Sequence, residues 1–84
     1  MKICILVGHG KGDSGGYDPG AVNGDYHEFN IAKEIAQIAA EGLRSTYGAD
    51  CGLLNYDGKY NLKERIAQFQ DRTYDLLAEI HLNA

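Results

Sequence analysis

Side chains that commonly bind metal ions are spread along this sequence of 84 residues. Two of them are histidines, His9 and His81, and another is a glutamate, Glu28. Two imidazoles and one carboxylate are a common ligand set for catalytic zinc, which keeps its fourth position for water or substrate. A metal held in this way lowers the pKa of bound water to about 7 and polarises a carbonyl group. That chemistry suits the hydrolysis of an amide or an ester.

A structural role is the alternative for the same residues. They are far apart in the sequence and form no short motif such as H-E-x-x-H. In this alternative both histidines are hydrogen-bonded residues at strand ends, and Glu28 is a capping side chain of a helix. Spacing alone leaves both interpretations open, so the elements that carry these residues have to be considered.

The apolar pattern predicts strands in three parts of the chain. Residues 2–7 form a continuous apolar run that stops at Gly8, which is typical of a central strand buried on both faces. Residues 50–56 read as a second strand, closed by a turn at Asp57 and Gly58. Residues 74–82 read as a third strand. Its alternation places Leu77, Glu79 and His81 on the face opposite Leu76, Ala78, Ile80 and Leu82.

Two helices are predicted between these strands. The first covers residues 25–47 and ends at Gly48, with a buried stripe of Ile31, Ile35, Ile38 and Leu43. Asp25 and Glu28 have the spacing of a capping box at its start, and Glu28 also begins the buried stripe. The second helix begins with another capping box and ends near Arg72. Its residues are Asn61 and Glu64 for the cap, and Leu62, Ile66, Ala67 and Phe69 for the apolar side.

The segment between the first strand and the first helix is rich in glycine. Residues 8–24 contain seven of the eleven glycines and the only proline. This composition predicts one long loop without regular structure. A loop of this length directly after a central strand is usually functional.

Strands and helices in alternation predict an α/β fold, with a βαβαβ order and a parallel sheet flanked by helices. The length fits one domain, residues 1–84. In such sheets, ligands bind beyond the carboxyl ends of the strands. His9 follows the first strand, Glu28 opens the next helix and His81 ends the third strand. We therefore expect all three side chains at one edge of the sheet.

Four parts of the sequence occur in an order and spacing that resemble one enzyme family. They are V-G-H-G at residues 7–10, D-P-G-A at 18–21, Glu28, and D-L-L-A-E-I-H-L-N-A at 75–84. This series is similar to the successive signatures of the zinc-dependent N-acetylmuramoyl-L-alanine amidases, in their amidase-3 branch. The resemblance implies Zn²⁺ as the cofactor, with His9, Glu28 and His81 as its ligands. It also implies peptidoglycan as the substrate, cut at the amide between N-acetylmuramic acid and L-alanine.

The resemblance covers roughly the first half of an amidase domain. Members of that family carry a further catalytic glutamate later in the domain, beyond residue 84. We therefore expect an incomplete catalytic domain that is inactive or very weak alone. The alternatives are a non-catalytic fragment that holds zinc, or half of a split enzyme. Either would pair with another copy of the chain or with the missing half.

Other acidic and imidazole side chains lie near the predicted ligands in the sequence. Glu79 shares a strand face with His81, so it is a candidate for catalysis, and more strongly for a hydrogen bond to a ligand. His27 points away from Glu28 around the helix and is predicted to be a surface residue. Turn formation and capping explain Asp13, Asp18 and Asp25. Asp18 has a stronger functional case because it belongs to the D-P-G-A segment.

A nucleotide-binding module is the rival from a different class. Gly10, Gly12 and Gly15 match the G-x-G-x-x-G fingerprint. That fingerprint has to open a helix directly so that the pyrophosphate meets the helix N-terminus. Here residues 16–24, Pro19 among them, come before the predicted helix. This rival is therefore much weaker than the metal site.

Composition limits the partners and the location. A net charge of −4 argues against nucleic acid, and no apolar run is long enough for a membrane span. The N-terminus has neither the length nor the cleavage site of a signal peptide. We therefore expect a protein made in the cytoplasm, as phage lysins are, that acts on the bacterial cell wall. Cys4 and Cys51 lie in apolar segments and are predicted to be small buried residues.

Overall fold

The computed structural model describes residues 1–70 and 73–82, and its main feature is a parallel sheet with helices against it. The elements in chain order are β1 (Lys2–Val7), β2 (Gly10–Lys11), β3 (Tyr17–Asp18), β4 (Val22–Asn23), β5 (Tyr26–His27), α1 (Glu28–Tyr47), β6 (Asp50–Leu54), α2 (Leu62–Gln70) and β7 (Leu76–Ile80). The predicted α/β class is confirmed. None of the helices in the described part of the chain is long and apolar enough to cross a membrane.

The central position of β1 organises the sheet, whose strand order is β6-β1-β7. Both neighbours run parallel to β1, and Ile3 lies between Cys51 on one side and Leu76 on the other. Side chains of β1 alternate between two apolar clusters. Ile5 and Val7 pack with α1, whereas Cys4 and Leu6 pack with Leu54, Phe69 and Tyr74. The prediction of a central first strand buried on both faces is confirmed.

Helix α1 contacts the sheet mainly through alanines. The predicted stripe is therefore wrong at Ile35 and Ile38, whereas Leu43 packs against the core as predicted. Ala32, Ala36 and Ala40 are fully buried, whereas Ile35 is 42% and Ile38 is 70% exposed. The spacing of four residues places the alanines along one side of the helix. Their small side chains let the helix lie close to the branched residues of β1, which fill the space between the two layers.

The N-terminus of α1 also differs from the prediction. The helix begins at Glu28 rather than Asp25, because residues 22–23 and 26–27 form an antiparallel pair around a turn. His27 precedes the helix in an extended conformation, and its side chain makes no capping hydrogen bond. The predicted Asp25–Glu28 capping box is therefore wrong. At the other end, Gly48 adopts the left-handed conformation and its amide donates to the carbonyl of Arg44, as predicted for a helix stop.

The glycine-rich segment is more ordered than predicted. Residues 10–11 pair antiparallel with 17–18, so two short strand pairs interrupt the expected irregular loop. Gly15 and Gly24 have positive φ values of 94° and 60°, which the connecting turns require. The glycines therefore form tight turns that bring the segment back over the edge of the sheet.

Helix α2 has the predicted capping box and an unexpected buried side. Asn61 Oδ1 accepts the amide hydrogen of Glu64 at 2.9 Å, and Glu64 Oε1 accepts that of Asn61 at 3.1 Å. The predicted apolar side is correct at Phe69, which packs against Cys4 and Leu6, and wrong at Leu62 and Ile66, which are exposed while Arg65 is buried. Arg65 can be buried since Glu79 neutralises its charge. The predicted end near Arg72 lies outside the described residues.

Strands β6 and β7 are shorter than predicted, and both keep the expected pattern. Strand β6 ends at Leu54 because Asn55 has a φ of 61° and begins a turn closed by the amide of Gly58. In β7, Ala78 and Ile80 pack against the α1 side of the core. Glu79 lies on the opposite face, where it contacts Arg65. Cys4 and Cys51 are both buried, as predicted.

Substitutions on α1 distinguish its two faces. We expect Ala36→Leu to lower the free energy of unfolding by about 1–3 kcal/mol, because a larger side chain does not fit between helix and sheet. Ile38→Gln is the matched control on the exposed face and should change this free energy by less than about 0.5 kcal/mol. Urea denaturation followed by circular dichroism measures both. A greater loss in Ile38→Gln than in Ala36→Leu would contradict the observed orientation of the helix.

Candidate metal centre

The structure brings His9, Glu28 and His81 together at the carboxyl-end edge of the sheet. His9 lies just after β1, His81 follows β7 directly, and Glu28 is the first residue of α1. One ligand atom from each residue lies within 4.8 Å of the other two. The two imidazole rings have centroids 5.0 Å apart and are nearly perpendicular. The three side chains therefore meet at one edge of the sheet, as the parallel topology predicted.

The backbone at His9 adopts an uncommon conformation. Its φ is 66°, in the left-handed region, where a residue other than glycine is strained by about 1–2 kcal/mol. Asn55 stabilises this turn, since its Nδ2 donates to the carbonyl oxygens of Val7 and His9 at 2.7 and 2.8 Å. Asn55 is itself buried. Sequence reasoning missed Asn55, because only the neighbouring strands in the fold bring it against β1.

The carboxylate of Glu28 is the most enclosed group of the site, with 6% of the residue exposed. Its Oε1 accepts the amide hydrogen of Ala21, and its Oε2 accepts that of Leu82, both at 3.0 Å. Oε2 also lies 3.2 Å from His9 Nε2 and 3.1 Å from His81 Nδ1. Burial alone would raise the pKa of Glu28. The amides of Ala21 and Leu82 and the nearby His9 outweigh burial and hold this pKa below its usual value.

Asp18 contacts one ring nitrogen of His9, and the other nitrogen faces Glu28. Asp18 Oδ2 lies 2.8 Å from His9 Nδ1, and Oδ1 accepts the amide hydrogen of Gly20 at 3.0 Å. The Gly20 amide and His9 lower the pKa of Asp18 despite partial burial, so the carboxylate is an acceptor only. Glu28 Oε2 is a second acceptor, but it lies farther away, 3.2 Å from His9 Nε2, so the closer Asp18 favours a proton on Nδ1. Turn formation was the expected role of Asp18, and the D-P-G-A segment was the sequence signal for this further contact.

Glu79 lies between an arginine and a histidine. Its Oε1 accepts a hydrogen bond from Arg65 Nε at 2.7 Å, and its Oε2 lies 3.6 Å from His81 Nε2. Glu79 thus approaches the outer side of the His81 ring rather than the side that faces Glu28. Arg65, which the sequence assigned no function, is buried and also donates from Nη1 to the carbonyl of Tyr60.

The remaining residues of interest lie apart from this contact network. His27 shares a 3.0 Å hydrogen bond with the hydroxyl of Tyr17, and their rings stack. Asp25 is exposed in the turn between β4 and β5, and Asp13 is exposed beside the cleft. His27 is half-buried and precedes α1, so its predicted place on the helix surface is wrong.

Two of the three separations between the candidate ligand atoms fit a tetrahedral metal ion. Zinc with bonds of about 2.0 Å to nitrogen and oxygen places neighbouring ligand atoms about 3.3 Å apart. The separations from Glu28 Oε2 to the two imidazoles, 3.2 and 3.1 Å, are close to this value. Glycines make the close approach feasible. A Cβ on Gly20 would lie 2.7 Å from Glu28 Oε1 and from His9 Cδ2, and φ there is 71°.

A cleft of about 390 Å³ opens beside the two histidines. His9, His81 and Asp18 line it together with Arg65 and Leu62 from α2. A substrate could therefore reach the imidazoles from solvent. The arrangement can hold a metal ion while leaving one side open to an incoming group.

The rival nucleotide site finds no support in the local geometry. Gly10, Gly12 and Gly15 lie in the β2–β3 pair and its turn, where the amide of Gly12 donates to the carbonyl of Gly16. This segment does not open a helix, and α1 begins only at Glu28. The glycine fingerprint therefore has no helix N-terminus on which a pyrophosphate could bind.

Comparison with known proteins gives one result. A family model described as N-acetylmuramoyl-L-alanine amidase matches residues 3–84. No curated protein and no solved structure matches the chain.

The effect of Asp18 on His9 can be measured without any metal. We expect nitrogen NMR of the metal-free chain to show the Nδ1-protonated tautomer of neutral His9, because the Asp18 carboxylate accepts that proton. In Asp18→Ala the preference should weaken to a mixture of tautomers. Asp13→Ala is the control, since Asp13 is exposed beside the same cleft. The same tautomer in wild type and Asp18→Ala would contradict this role.

Proposed function

Because the chain belongs to the N-acetylmuramoyl-L-alanine amidase family, we propose that it forms the zinc-binding part of an enzyme that cuts peptidoglycan. The bond hydrolysed is the amide between N-acetylmuramic acid and L-alanine. The convergence of His9, Glu28 and His81 carries this proposal, since these groups are separated widely in sequence and meet at one edge of the sheet. Peptidoglycan lies in the bacterial cell wall, so the wall is the proposed place of action.

The donor set suits zinc in both type and geometry. Two nitrogens and one carboxylate oxygen are ligands that zinc prefers in catalytic sites, and three protein ligands leave one position open. A zinc ion bound there supplies Lewis acidity, which polarises an amide carbonyl and makes water a stronger nucleophile at neutral pH. The zinc requirement is therefore proposed from the chemistry of the residues together with the family.

The protein groups around the ligands prepare them for the metal. Asp18 keeps the proton of His9 on Nδ1, so Nε2 remains available as a ligand atom. The amides of Ala21 and Leu82 keep Glu28 ionised and fix its orientation. Both effects exist in the fold before a metal binds. They reduce the reorganisation that metal binding would otherwise require.

The site is less suited to general base catalysis than to binding a metal. A general base needs a carboxylate that is able to take a proton from the attacking water. The two carboxylates that contact the histidines besides Glu28 are engaged, Asp18 with His9 and Glu79 with Arg65, and Asp13 at the rim of the cleft is exposed. We therefore propose that these 84 residues bind zinc and contribute little hydrolysis alone. A second candidate is a non-catalytic zinc-binding domain, for which the same engagement of Asp18 and Glu79 argues.

Zinc binding tests the ligand set directly. We expect His9→Ala, Glu28→Ala and His81→Ala each to weaken zinc binding roughly 100-fold or more, because each removes one of three protein ligands. Competition with a chromophoric chelator measures the affinity, and thermal denaturation with and without zinc checks the linkage to folding. His27→Ala is the matched control. Wild-type affinity in both His9→Ala and His81→Ala would reject the proposed centre.

Peptide release from purified cell walls tests the activity. We expect the zinc-loaded chain to release stem peptides far more slowly than an intact amidase, because Asp18 and Glu79 are already engaged. Glu28→Ala gives the background rate without the site. Release at a rate comparable with the intact enzyme would show that the chain needs no further base and would exclude the non-catalytic alternative.

A further inference from the structure

We propose that Glu79 is a positioning residue for His81, that Arg65 holds Glu79 in place, and that His81 therefore binds metal through Nδ1. The proposal rests on the zinc centre put forward above. It assigns different ligand nitrogens to the two histidines, namely Nε2 of His9 and Nδ1 of His81.

Each imidazole of the site lies between two carboxylates. His9 has Nε2 at 3.2 Å from Glu28 and Nδ1 at 2.8 Å from Asp18. His81 has Nδ1 at 3.1 Å from Glu28 and Nε2 at 3.6 Å from Glu79. In both rings, one nitrogen faces the shared Glu28 and the other faces a separate carboxylate. A carboxylate on the outer nitrogen is the usual partner that orients a metal-bound histidine and strengthens it as a ligand.

His81 depends more on such a partner than His9 does. It is the most exposed member of the three, with 44% of its side chain accessible. It also follows the last residue of β7, where strand pairing no longer restrains the chain. A Cβ on Gly8 would lie 2.5 Å from His81 Cε1, so the ring packs against the backbone of the neighbouring segment. Glu79 restrains the ring from the remaining polar side.

Arg65 explains why Glu79 can hold this position. The Arg65 side chain is 5% exposed, and its Nε donates to Glu79 Oε1 at 2.7 Å. Its Nη1 donates to the carbonyl of Tyr60 at 3.1 Å, which fixes the plane of the guanidinium. With Oε1 engaged, Oε2 is the oxygen turned toward His81. The buried side of α2 thus acts on the metal centre through one ion pair.

A purely structural role for Glu79 makes different predictions. If Glu79 only neutralised the buried charge of Arg65, its loss would destabilise the fold without changing how His81 binds a metal. The 3.6 Å separation from His81 Nε2 is slightly longer than a hydrogen bond. The positioning role requires this contact to close when Nδ1 binds a metal and the proton resides on Nε2. The ligand nitrogen of His81 separates the two roles.

The first experiment uses the unmodified 84-residue chain. Nitrogen NMR of the zinc-loaded protein, with isotope-labelled histidine, identifies the metal-bound nitrogen of each ring. We expect His9 to bind through Nε2, and His81 to bind through Nδ1 with a slowly exchanging proton on Nε2. Binding of His81 through Nε2, or rapid exchange of the Nε2 proton, would overturn the proposal without any variant.

The second experiment compares two glutamates that are each paired with a cation. Glu79→Gln should weaken zinc binding by about 10–100-fold and speed exchange of the Nε2 proton. Glu64→Gln is the control, because the Glu64 carboxylate accepts from Lys11 Nζ and from the Asn61 amide and contacts no histidine. Wild-type zinc affinity in a folded Glu79→Gln would overturn the positioning role.

The outcomes also separate this proposal from the metal centre itself. If His9→Ala and His81→Ala bind zinc as the wild type does, the centre is wrong and the role of Glu79 fails with it. If both alanine variants lose zinc while Glu79→Gln retains it, the centre stands and only the positioning role is rejected. Thermal denaturation without zinc shows whether Glu79→Gln is folded. If this variant does not fold, the NMR experiment on the wild type tests the proposal by identifying the metal-bound nitrogen of His81.

Discussion

The buried carboxylate of Glu28 is the interaction on which the arrangement of this fold depends. Glu28 is the first residue of α1. Its carboxylate accepts the amide hydrogen of Ala21 in the glycine-rich segment and that of Leu82, which follows β7. An ionised group so deeply enclosed is stable only where hydrogen bonds replace its lost water. The same bonds join three parts of the chain that are far apart in the sequence. A helix start, a loop and a strand end are thus set relative to one another by one side chain.

The order of elements was predictable, because it depends on local patterns. The central strand, the Gly48 stop and the Asn61–Glu64 cap each arise from residues close together in sequence, and the structure shows all of them. Parallel topology then brings the strand ends to one edge, which is why His9, Glu28 and His81 could be grouped. Periodicity alone did not determine which side of a helix is buried. Alanines rather than isoleucines face the sheet on α1, since close packing favours small side chains there.

Contacts between residues far apart in the sequence could not be predicted, because only the folded chain brings those residues together. Asn55 stabilises the His9 turn from the end of a neighbouring strand, and Arg65 reaches Glu79 from the second helix. Neither residue has a recognisable motif, and an arginine inside an apolar pattern usually indicates a solvent-facing side. A functional role for Asp18 was partly predictable, because this residue belongs to the D-P-G-A segment. Its bond to His9, however, depends on the short β2–β3 pair, which the glycine content had concealed.

The separation of the bonded residues along the chain has a consequence for folding. Glu28 is 53 residues from His81 and 54 from Leu82, and Asn55 is 46 from His9. Such non-local contacts form late and slow the folding of small domains, because a long loop has to close first. During synthesis, the β2–β3 hairpin that carries Asp18 can form early. The bonds of Glu28 to His81 and Leu82 can form only after β7 has left the ribosome. Binding at the proposed zinc centre should therefore follow the pairing of β7 with β1 rather than precede it.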